Sequence, residues 1–109
     1  MIPRAALWRA VVALAVPLLP GAALAPRATH TIVIDQMKFG PAPQGLRVGD
    51  TVTWINRDLF RHTATARDGS FNLDLMPGKS GSVTLRRAGS IAFYCTFHPG
   101  MRGQFVVGR

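Results

Sequence analysis

The stretch Tyr94-Cys95-Thr96-Phe97-His98-Pro99-Gly100-Met101-Arg102-Gly103 constrains this chain more than any other. It holds the only cysteine of the sequence, followed after two residues by a histidine and after two more by a methionine. A thiolate, an imidazole and a thioether brought together suit copper: thiolate holds Cu(I), imidazole accepts both oxidation states, and a thioether serves as a weak, long axial donor. Such a loop needs a stiff scaffold to fix the positions of its donors. One more imidazole completes the set, and His62 is the better candidate of the two that remain. His30 has no ligand-like neighbours and is expected to be solvated.

The segments around this loop are short and β-branched. Thr31-Ile32-Val33-Ile34-Asp35 reads as a strand, Leu46-Arg47-Val48 as a brief one closed by the Gly49-Asp50 turn. Residues 51–56 alternate, placing Val52, Trp54 and Asn56 on one face and Thr51, Thr53 and Ile55 on the other, with Trp54 in the core. Residues 57–61 form a loop that delivers His62 to the strand Thr63-Ala64-Thr65-Ala66. Residues 71–76 read as irregular, ending in the Pro77-Gly78 turn. Further strands are expected at 82–85, 90–94 and 104–107, while Pro41 and Pro43 forbid a regular ladder between the first two. No helix emerges after residue 26. Six or more short strands with Gly and Pro punctuation point to an all-β sandwich.

These residues together resemble the cupredoxins, and within them the amicyanin-like and plastocyanin-like small blue copper proteins. The resemblance rests on Val48-Gly49-Asp50-Thr51-Val52-Thr53-Trp54-Ile55-Asn56, on His62-Thr63, on Phe71-Asn72 with Met76-Pro77-Gly78, on Ala88-Gly89-Ser90 and on the Cys95 loop. It implies a Greek-key β-sandwich binding one copper ion through His62, Cys95, His98 and Met101. The two-residue gap between His98 and Met101 is the short, amicyanin-type version. The resemblance also implies that Asn56 hydrogen-bonds across to the ligand loop, with Thr96 as partner, and that Met76 belongs to packing or to a surface patch. The family often has proline where Arg61 stands.

Composition bears on location and partners. Arg4 and Arg9 precede an apolar run ending in Pro20-Gly21 and small residues, the pattern of an export signal. Residues 1–25 are expected to be the leader, cut after Ala25 or Ala23, and residues 26–109 the copper domain. The run is too short to cross a bilayer comfortably. Of the 13 Lys and Arg, two fall in the leader, so 11 face five aspartates in the remainder, a net charge of +6. The charges are scattered and no nucleic-acid module is present, which argues against nucleic acid as partner. The expectation is a periplasmic, monomeric single-electron carrier serving redox partners such as a dehydrogenase or cytochrome. An acidic partner fits the charge, with Arg61 and Arg102 as a basic rim beside an apolar patch of Phe60, Met76, Phe97, Pro99 and Gly100. The alternative is copper storage or delivery on the same ligands without redox cycling. Catalysis by this chain alone is not expected, because enzymes coupling a blue copper to further coppers typically flank the cysteine with histidines, and Tyr94 and Thr96 stand here.

Overall fold

Strand by strand, the alternating segments become β1 (Thr29–Asp35), β2 (Lys38–Phe39), β3 (Leu46–Arg47), β4 (Thr51–Asn56), β5 (His62–Ala66), β6 (Asn72–Leu75), β7 (Ser80–Thr84), β8 (Gly89–Tyr94) and β9 (Arg102–Gly108). This computed structural model describes residues 10–15 and 27–109, with no helix among them. The expected leader lies mostly outside the described residues, and so do both expected cleavage points.

The strands form two sheets, one ordered β2-β1-β4-β7 and the other β3-β9-β8-β5-β6. The β1–β4 and β3–β9 pairs are parallel and the others antiparallel, so the sheets are mixed. The chain changes sheet repeatedly, as a Greek-key sandwich requires. In β4 the inward face is Val52, Trp54 and Asn56, all fully buried, and the outward face is half-buried, as the alternation predicts. Trp54 lies 5.2 Å from Phe71 and 5.5 Å from Phe93 between ring centroids, and Phe39 meets Phe93 edge-on at 4.8 Å. Gly103 completes this aromatic core by its lack of a side chain: a Cβ there would stand 2.2 Å from the Phe93 ring.

Two expectations need correction. His30 is not solvated: β1 begins at Thr29, and His30 Nε2 lies 3.1 Å from Oδ2 of Asp50, a carboxylate 2% exposed. Asp50 also accepts the amides of Ala28 and Arg47, which together hold its carboxyl below the usual range despite burial. Residues 72–75 are not irregular but form β6 against β5, with His62 opposite Leu75. Leu73 and Leu75 turn inward while Asn72 and Asp74 face water, so burial on one face outweighs poor strand propensity.

This topology places the site. β4 ends and β5 begins around residues 57–61, and β8 ends and β9 begins around residues 95–101, so both loops stand at one end of the sandwich.

Candidate metal centre

The spacing of the Cys95 loop is explained by its turns. The His98 amide donates to the Cys95 carbonyl and the Met101 amide to the His98 carbonyl at 2.8 Å, two successive three-residue reversals. A third bond, from the Cys95 amide to the Met101 carbonyl at 3.0 Å, closes the loop. Each reversal returns the next donor residue to the same region, which is why two residues separate each from the next. Cys95 is fully buried, Met101 is 6% exposed, and His98 is half-buried nearer the surface.

His62 enters from the other loop as the first residue of β5, fully buried. Its Nδ1 lies 3.7 Å from Cys95 Sγ, and so does Nδ1 of His98. One ligand atom from each of the three lies within 4.8 Å of the others. Donors bound at about 2.0–2.3 Å to one ion stand roughly 3.5–4 Å apart, so this spacing fits a metal. The far side of the His62 ring is fixed by Asp58, whose Oδ2 lies 2.8 Å from Nε2. An ionised carboxylate only accepts, so Nε2 carries the proton and Nδ1 presents its lone pair. The His62 bond, then the Met37 amide, hold the Asp58 carboxyl below its usual range. Gln36 and Met37 make the two-residue turn between β1 and β2 with φ of 50° and 59°, a strained geometry for non-glycine residues. Asp58 therefore ties a strained hairpin turn to the ring of a candidate ligand.

Burial pushes the Cys95 thiol up, but the Thr63 amide, the two imidazoles and the Phe97 amide outweigh it and bring it down to about 6. The Thr63 amide donates to Sγ at 3.3 Å, and Thr63 Oγ1 accepts the Thr96 amide at 2.9 Å. Asn56, expected to make the tie to Thr96, does something else. Its Nδ2 donates to the carbonyls of Phe60 and Leu75, and its Oδ1 accepts the Asp58 amide. Asn56 closes the His62 loop onto β6, and Thr63 joins the two ligand-bearing loops. A threonine next to a ligand histidine is ordinary strand sequence, and the resemblance, though it covers His62-Thr63, assigned Thr63 no role. Asp58 had a signal, a carboxylate four residues before that histidine.

A family model described as a cupredoxin-like domain matches residues 7–107. The chain belongs to the cupredoxin-like family. It is 37% identical over 88 residues to the amicyanin of Paracoccus denitrificans, covering 73% of this chain and 67% of that protein. It is 30% identical over 108 residues to amicyanin-alpha of Methylorubrum extorquens, covering 94% and 91%. Among solved structures it is similar to an oxidised amicyanin variant (TM-score 0.64, 33% identity, 72% of this chain and 81% of that one). It is also similar to the reduced Cu(I) form at pH 4 of another amicyanin variant (TM-score 0.63, 34% identity, 73% and 82%).

Around the cupredoxin site, Leu59, Phe60, Met76 and Phe97 are exposed on the loops of this end. Leu59, 88% exposed, extends the apolar patch the sequence pointed to. The basic rim is weaker than expected. Arg61 lies over the Phe97 ring at 4.8 Å and grips the Asp74 carboxylate with Nε and a terminal nitrogen, which cancels its charge locally. Arg102 has no ion pair among the described residues.

Proposed function

We propose that this cupredoxin is a diffusible one-electron carrier whose single copper ion is held by His62, Cys95 and His98, with Met101 as the weak axial donor. Bound there, copper supplies a Cu(II)/Cu(I) couple. The observation that carries the reading is a buried thiolate and two imidazoles already at ligand spacing, held from behind by Asp58 and Thr63. Donors fixed in place by the protein need little rearrangement when the charge changes, and small rearrangement favours fast transfer. Half-buried His98, beside exposed Phe97 and with Phe60 exposed on the other ligand-bearing loop, is the route by which electrons enter and leave, and the apolar surface is where partners dock. The protein works in the periplasm as a monomer of residues 26–109, after removal of residues 1–25. Its partners are electron-donating and electron-accepting proteins of the dehydrogenase and cytochrome kinds. Acidic surfaces on them complement the net positive charge. It performs no catalysis of its own.

The test is spectroscopic. Copper-loaded protein shows an intense visible thiolate-to-Cu(II) band that bleaches on reduction, and Cys95→Ser abolishes it. Met101→Leu keeps the colour and raises the potential, because a donor favouring Cu(II) has gone. A colourless Cu(II) complex of the parent protein overturns the carrier reading in favour of storage.

A further inference from the structure

β7 is the edge of its sheet, hydrogen-bonded only to β4. β6 of the other sheet packs close to it at Gly81, which lies against Leu73 and Leu75, and the edge opens beyond, toward Ser82 and Thr84. The Leu85 amide donates to the Asp50 carbonyl and the Asn56 amide to the Lys79 carbonyl. Those two bonds fix the phase of the ladder. By alternation, Gly81, Val83 and Leu85 direct their amide and carbonyl groups toward β4, and Ser80, Ser82 and Thr84 direct theirs outward. Edge strands are ordinarily protected by an inward charge, a proline, a bulge or a covering element. Ser80-Gly81-Ser82-Val83-Thr84 has no charge or proline, and its five residues pair with β4 in unbroken register.

Beside this edge runs a cleft of about 390 Å³ with an apolar floor of Phe71, Val83, Leu85 and Ile91. A strand added to β7 would send alternate side chains over that floor. Lys79 stands exposed at one end of β7 and Arg86 at the other, where a second cleft lies between Arg27 and Arg86. The nearby carboxylates are committed, Asp68 to Arg87 and Asp50 to His30. Arg27 and Arg86 have no ion pair among the described residues. A second copy of this chain is a poor occupant, since antiparallel pairing of two β7 edges brings Lys79 of one copy toward Arg86 of the other.

We propose that the open β7 edge receives an extended, acidic segment of a partner protein as an added strand, with apolar side chains entering the cleft and carboxylates meeting Lys79, Arg86 and Arg27. Backbone pairing supplies affinity in this mode, and pockets for alternate side chains supply specificity. Thr84 pairs with Thr51 at the start of β4, the end of the sandwich away from the 95–101 loop, so a partner strand centred on Ser82, Thr84 and Arg86 leaves His98 free for electron exchange.

The experiment is NMR on the full chain in its Cu(I) form with a blocked seven-residue peptide of alternating aspartate and valine, its asparagine counterpart, and anionic phospholipid vesicles. The aspartate peptide is expected to shift the Ser82 and Thr84 amides and slow their hydrogen exchange, while the 95–101 loop is unmoved. Ser82→Pro or Thr84→Pro removes one outward amide and leaves the β4 ladder intact, so each should weaken binding about tenfold. Arg86→Glu and replacement by the asparagine peptide should each weaken it several-fold, with the visible band of the oxidised protein unchanged. If the proline variants fail to fold, Arg86→Glu and the exchange rates of the parent decide. The proposal is overturned by unmoved Ser82 and Thr84 amides at millimolar peptide, by folded proline variants that bind as well as the parent, by preference for vesicles over peptide, or by dimerisation of the free chain through β7.

Discussion

Thr63→Val separates the tie that joins the two ligand-bearing loops from everything around it. Valine keeps the β-branched shape that β5 favours and keeps the Thr63 amide, and therefore its bond to Cys95 Sγ, while deleting Oγ1. What is lost is the acceptor of the Thr96 amide at 2.9 Å, together with the hydroxyl contacts to Thr65 at 2.9 Å and to Thr96 at 3.3 Å. Thr65 keeps its bond to Asn72. Thr96 is exposed enough for water to reach the freed amide, so the cost is that of ordinary hydrogen bonding, about 1 kcal/mol or somewhat more, and not the larger penalty of an orphaned buried donor. For a domain this small that lowers Tm by about 4–8 °C. Calorimetry of the metal-free and copper-loaded forms measures it. The visible band should also move, because the peptide linking Cys95 to Thr96 loses its anchor. Unchanged Tm together with an unchanged band would refute the assignment of this tie to Thr63. Asn56→Ala is the control: it should cost more, since three bonds of a fully buried side chain are lost, and its effects should centre on the His62 loop.

Three further outcomes follow from the geometry. Asp58→Ala leaves the His62 ring without the carboxylate that orients it, and copper affinity measured by competition with a chelator should fall about 10–100-fold. Gly103→Ala drives a methyl into Phe93, so denaturant titration should show a loss of about 1–3 kcal/mol or more, with parent-like stability disproving the close approach. The Cys95 thiol ionises near 6 in the folded protein against an ordinary 9.0, so its contribution to metal-free stability is absent below about 6 and grows as pH rises toward 9. Cys95→Ser should remove that rise from urea midpoints taken across this window, and an equal rise in both proteins would assign it to other groups.

What the sequence made legible, and what it hid, divides along a physical line. Donor types and their spacing are properties of the chain itself, and turn geometry converts a three-residue step into convergence, so Cys95, His98 and Met101 could be read together. Alternation likewise exposed the buried face of β4. The supports were harder to read because each depends on a partner far along the chain whose distance no local pattern encodes. Thr63 meets Thr96 across 33 residues and Asp58 meets the Met37 amide across 21. His30 looked solvated for the same reason, its carboxylate lying 20 residues away. Asn56 was expected to reach the cysteine loop, but three polar groups beside it on its own side of the site take both its amide protons and one lone pair of its oxygen. A buried side-chain amide bonds whatever unsatisfied backbone lies nearest, and here that is the loop it precedes. The same reasoning bears on charge. Arg61 and Arg102 both adjoin ligands in sequence, yet only Arg61 has an aspartate on the neighbouring strand, so the field that a docking partner meets at the metal end is set by β6 as much as by the arginines.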